Sequence, residues 1–169
     1  MKKTLNSTAA NGDDLPFLRS RRYARSAALR FLFQADLNND WRWDDDQQRC
    51  FWEQAASLDD ALEGQELGAA RSFAGWLIAG VLVNRAELDR EITARATNWR
   101  LERMGAVDRN LLRLCTFEIL HGGGKVPPVA AINEAIELAK EFGDTDSPKF
   151  VNGILDNLFN SLPAAQAAK

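Results

Sequence analysis

The chain has 169 residues, 46% hydrophobic and 27% charged, with a formal net charge of −3. That is the balance of a globular protein able to bury a core without a metal or disulfide staple, and it excludes collagen-like, mucin-like, rod-like and wholly disordered classes. No apolar h-region follows Met1-Lys2-Lys3, no apolar run approaches the ~20 residues that span a bilayer, and Cys50 and Cys115 alone make neither a disulfide framework nor a zinc site. These features predict a cytoplasmic protein with no membrane partner, no metal and no cofactor.

The small net charge hides a polar distribution. Residues 1–35 carry seven Lys/Arg against two Asp, residues 36–66 carry two Arg against ten acids, and the rest balances. A basic head on an acidic chain points to a localised anionic partner.

Residues 1–19 lack apolar periodicity and read as a disordered tail. A helix is predicted from an N-cap at Ser20 to about Leu37, with Ala24, Ala27, Ala28, Phe31, Leu32 and Ala35 on its buried stripe. An acidic loop, residues 38–45, holds Trp41 and Trp43, both expected to anchor on the core. A second helix covers about Asp46–Leu62. From Glu66 to Trp99 the pattern gives one long helix, or two with a bend near Gly80–Asn84. Val107–Leu120 follows, ended by Gly122-Gly123-Gly124. Pro127-Pro128 opens the next helix, which Gly143 closes. Ser147 as N-cap and Pro148 at the first helical position start the last, and Pro163 stops it. Strand and hairpin signals are missing, so the expected fold is all-α: a single compact bundle of about six or seven helices over residues 20–162, with 163–169 a second tail.

Catalytic patterns are weak. His121-Gly122-Gly123-Gly124 lacks the Gly-x-Ser-x-Gly elbow that an oxyanion loop needs. Gly124-Lys125 lacks the following Ser/Thr and preceding strand of a phosphate loop. The first helix is more informative. At about 100° per residue from Arg22, its buried stripe falls between about 140° and 280°, while Arg22, Arg25, Leu29, Arg30 and Phe33 lie on the other side. Guanidinium groups around an aromatic side chain suit RNA, Arg for phosphate and Phe for stacking, and Arg21, Lys2 and Lys3 extend the surface. The alternative is that Leu29 and Phe33 pack on another helix and the arginines only edge it.

Three blocks resemble one family. Arg21-Arg22-Tyr23-Ala24-Arg25-Ser26-Ala27-Ala28-Leu29-Arg30-Phe31-Leu32-Phe33 is similar to the opening helix of NusB transcription antitermination proteins. Val126-Pro127-Pro128-Val129-Ala130-Ala131-Ile132-Asn133-Glu134-Ala135-Ile136-Glu137-Leu138-Ala139-Lys140 continues the likeness, as does Asp146-Ser147-Pro148-Lys149-Phe150-Val151-Asn152-Gly153. The resemblance covers about residues 20–160. It implies a non-enzymatic helical bundle that binds boxA-type single-stranded leader RNA together with NusE, a small-subunit ribosomal protein. Other Nus factors and RNA polymerase would be met indirectly, as a monomer or a homodimer. Carried onto this chain, the RNA contacts would be Arg21, Arg22, Arg25, Arg30, Phe33, Asp146, Lys149 and Phe150, with Phe142 close by. The NusE-facing position would be Asp108, while Arg113 is expected in pairings of its own helix. Two other readings remain: a helical protein-binding adaptor without RNA contacts, and an accessory domain related to ribosomal RNA methyltransferases.

Overall fold

The computed structural model describes residues 15–56 and 62–163. Residues 1–14 of the tail predicted over 1–19, residues 164–169 of the tail predicted over 163–169, and the end of the second helix at residues 57–61 lie outside the described residues. Six α-helices and one short 3-10 turn make up the regular structure among the described residues: α1 Leu15–Asn38, α2 Asp45–Ala56, α3 Gly64–Arg95, the 3-10 turn Leu101–Arg103, α4 Ala106–His121, α5 Pro128–Phe142 and α6 Ser147–Asn160. The fold is all-α, as the periodicity predicts.

Two boundaries differ from expectation, and one open choice is settled. Helix α1 begins at Leu15, five residues before Ser20, so part of the predicted tail is helical. The hydroxyl of Ser20 donates instead to the Glu66 carbonyl on α3, at 3.5 Å. The segment Gly64–Arg95 is one continuous helix. Gly80 lies at a close crossing rather than a bend: a Cβ there would stand 1.9 Å from Cζ of Phe117. Helix α6 starts at Ser147 itself, preceded by Asp146 in helical conformation, and Pro148 is its second residue.

Helix α4 is the centre of the molecule. It packs on α1, α3, α5 and α6, and every residue from Asn110 to Glu118 is buried. A helix covered on all sides buries its polar residues too, and these must find partners. Arg113 reaches both oxygens of Asp89 on α3, at 2.7 and 3.0 Å, and Oδ2 of Asp36 on α1 at 3.2 Å. Arg109 and Asn110 also donate to Asp36, at 2.7 and 2.9 Å. Nη1 of Arg109 donates to the carbonyls of Leu101 and Met104. One carboxylate thus ties α1 to α4 and, through the arginines, to α3 and the 3-10 turn. Burial works against the charged form of Asp36, but these hydrogen bonds and the two arginine charges more than offset it and hold its carboxyl below the usual range.

By length and composition α3 could cross a membrane, with a mean hydropathy of 1.3 over its most apolar 18 residues. Here the apolar side chains Phe73, Leu77, Ile78 and Val81 pack in the core against α1 and α4.

The acidic loop is anchored as expected. Trp43 meets Phe31 edge-on at 4.5 Å and Phe51 at 5.9 Å. The Arg85 guanidinium lies 3.9 Å from the centre of the Trp41 ring. Asp44 Oδ1 accepts the Gln47 N–H at 2.9 Å, a capping bond at the start of α2.

Candidate nucleic-acid interface

The core stripe of α1 is buried along its whole predicted length, from Ala24 to Ala35. What remains faces outward. Leu15 and Leu18 are about half exposed. Arg22 has 46% of its side chain exposed and lies 3.7 Å from Glu141 of α5, a loose ion pair that leaves donors for another anion. Arg30 and Phe33 are half-buried, and the Arg30 guanidinium carbon is 5.9 Å from the Phe142 ring centre. Arg21 is partly withdrawn: its guanidinium is 3.6 Å from the centre of the Phe73 ring and 4.8 Å from that of Phe17. Burial, and then the charge of Arg25, push its pKa below the usual arginine value.

Arg25 requires a correction. It is buried, and its Nε and Nη2 donate to the two oxygens of Glu118 on α4, both at 2.8 Å. Burial alone would weaken its charge, but Glu118 more than reverses this and raises its pKa. A guanidinium held by a buried carboxylate cannot also meet phosphate, so Arg25 belongs to the α1–α4 contact. Leu29 is likewise buried, so the open face is narrower than the angles predict.

A second group gathers at the start of α6. The backbone N–H of Asp144 donates to the Ser147 hydroxyl at 2.9 Å, so Ser147 caps the preceding turn and leaves the first turn of α6 open. Lys149 and Asp146 are exposed there, and Phe150 is half-buried, meeting Trp99 edge-on at 5.4 Å. Trp99, Phe150, Arg103, Asp108, Asp144 and Asp146 surround a cavity of about 260 Å³. Burial raises the Asp108 pKa, a hydrogen bond with Ser147 works against this, and the nearby Asp144 charge adds to the rise, so the net shift is upward. Its Oδ1 is buried without a hydrogen-bond partner among the described residues.

The structure therefore leaves Arg22, Arg30 and Phe33 on the outward side of α1, spread over about 16 Å of its axis, and gathers Asp146 and Phe150 around one cavity with Asp108, next to Lys149. Sequence reasoning missed Trp99, 54% exposed in the connection after α3. Its one signal was an aromatic between polar neighbours, Asn98-Trp99-Arg100, at the last position of the predicted helix, which the structure ends at Arg95. His121 stacks on Phe117 and lies 3.1 Å from Glu87. Among the described residues no group of three His, Cys, Asp or Glu is placed to hold a metal.

Comparison with known proteins gives the family of the chain. The family model described as the NusB family matches residues 22–160. The chain is 41% identical over 146 residues to the transcription antitermination protein NusB of Geobacter sulfurreducens, covering 85% of this chain and 96% of that one. It is 45% identical over 136 residues to the protein of the same name from Desulfotalea psychrophila, covering 80% and 92%. Among solved structures, T. maritima NusB superposes with a TM-score of 0.71 at 34% identity, covering 88% of this chain and 97% of that one. A chain in the complex of antitermination factors NusB and NusE with double-stranded RNA gives a TM-score of 0.70 at 25% identity, covering 86% and 99%. With the family model spanning all six helices except the first turns of α1, the chain belongs to the NusB family.

Proposed function

We infer that this protein is a transcription antitermination factor. It binds boxA-type single-stranded leader RNA together with NusE in the cytoplasm and promotes ribosomal RNA transcription without catalysing a reaction. The observation that carries this reading is the outward side of α1, where Arg22, Arg30 and Phe33 follow one another along a helix otherwise committed to the core. Arg supplies bidentate phosphate contacts and an aromatic face takes a base, the combination used on single strands. Lys149, at the open first turn of α6, adds a cation where free N–H groups and the helix dipole favour phosphate. Asp108, with an unpaired buried oxygen beside Trp99 and Phe150, suits a basic side chain of a protein partner, which supports NusE at that end.

A fluorescence-anisotropy titration tests the reading, using boxA-type and scrambled RNAs with and without NusE. Tight binding that prefers the boxA-type sequence and strengthens with NusE is expected. Binding of NusE with no preference between RNAs would reduce the protein to an adaptor and remove the RNA half of the proposal.

A further inference from the structure

A cavity of about 440 Å³ against α1 has largely apolar walls, among them Phe33, Phe51 and Phe142. The cavity of about 260 Å³ at the start of α6 differs in kind. Asp108, Asp144 and Asp146 stand in its wall, and Arg103 offsets one of their three charges. Trp99 forms another wall, more than half exposed, with Phe150 braced edge-on against it. The indole is held in place by its own turn of chain. The Trp99 N–H donates to the Ala96 carbonyl at 3.0 Å, and Ala96 and Met104, on either side of it in sequence, are buried in the core.

Those features narrow the occupant. A phosphate would enter the field of three carboxylates and be repelled. A neutral base or a plain apolar side chain would take water from the acids without bringing a counter-charge, which costs free energy. A cation meets the acids and also suits the ring, since indole is the strongest of the aromatic platforms for a positive group. RNA carries no fixed cation, so the occupant comes from a protein. Arginine fits better than lysine. Its planar group lies flat on an indole and keeps its edge N–H groups for carboxylates such as Asp144 and Asp146, both exposed in the wall. Asp108 contributes through its field: its Oδ1 is closed off from solvent and unpaired among the described residues, so its charge is weakly screened.

We propose that this cavity takes an arginine side chain of the protein partner, stacked on Trp99 among Asp108, Asp144 and Asp146. The proposal rests on the reading of NusE as the partner at this end of the molecule. It is tested by titrating NusE, without RNA, against the full chain and its variants. Trp99→Leu, which keeps an apolar wall and removes the indole, should weaken NusE binding about tenfold, and Trp99→Phe should recover part of the loss. The arginines of NusE are then changed to methionine one at a time. One of them should weaken binding by a similar factor, and against that NusE variant Trp99→Leu should have no further effect, the mark of a shared contact. Should Trp99→Leu lose its helical circular dichroism, Asp144→Asn, exposed in the same wall, goes through the same cycle with a loss of about threefold. If NusE binds and none of its arginines couples to the cavity, the arginine assignment falls and NusE binding stands. If NusE does not bind the unaltered protein, both readings fall together. If Trp99→Leu weakens RNA binding in the absence of NusE and leaves NusE binding intact, a base lies on the ring and the proposal is overturned.

Discussion

Arg22 and Arg25 stand three residues apart on α1, one open to solvent and the other locked to Glu118. Removing one partner of a buried pair strands the other, so Arg25→Ala should cost about 3–5 kcal/mol of stability, read from urea denaturation. Arg22→Ala should leave the denaturation midpoint unchanged and lower the salt dependence of RNA binding by about one unit of slope. A Arg25→Ala protein as stable as wild type would show that the buried pair contributes nothing. The distinction between these arginines was illegible in the sequence because Glu118 lies 93 residues from Arg25. Asp108 makes an opposite case. Its pKa is raised, so its charged form is disfavoured in the folded state and costs stability once the pH exceeds its folded value. Asp108→Asn should therefore raise the melting temperature at neutral pH while weakening NusE binding. A variant that loses both stability and binding would instead mark Asp108 as a structural residue.

At the scale of elements, α3 and α4 cross where Gly80 meets Phe117, and only a glycine allows that distance. Gly80→Ala should destabilise the fold by about 1–3 kcal/mol, because an overpacked contact forces the helices apart. Unchanged thermal unfolding of that variant would show that Phe117 can rotate away freely. The start of α6 carries a competition between charges: Lys149 favours phosphate, and Asp144 and Asp146 repel it. Neutralising one acid with Asp146→Asn should strengthen RNA binding in a direct titration, and equal or weaker affinity would end that idea. The helices themselves were largely legible, since the apolar stripe of α1 and the Pro and Gly at the ends of α5 carry local signals. The first turn of α1 was not, because Leu15, Phe17 and Leu18 are exposed and leave no buried stripe to read.

Across the whole molecule, Asp36 ties α1 to α4 through Arg109, Asn110 and Arg113, and the two arginines extend the tie to the 3-10 turn and α3. Its lowered pKa means that the stabilisation is present above the unfolded value, near 4, and is lost as the pH falls through the folded value. Acid titration followed by circular dichroism should show a loss of stability below about pH 4, and Asp36→Asn should flatten it. An unaltered acid transition in that variant would place the sensitivity in other carboxylates. The charge asymmetry also acts at this scale. A basic α1 followed in the chain by an acidic loop and α2 makes the field of the molecule uneven, and such a field draws anions toward the basic end.

By itself the sequence determined the helical class, the core stripe of α1, the order of the helices and the arginine–aromatic character of the first one. Each is written in periodicity or in end signals that act within a few residues. Tertiary structure decided which arginines remain open, that Trp99 meets Phe150 beside Asp108, and that a largely apolar cavity lies against α1. Those facts depend on side chains far apart in the chain meeting in space, and a periodic pattern carries no information about which ones meet.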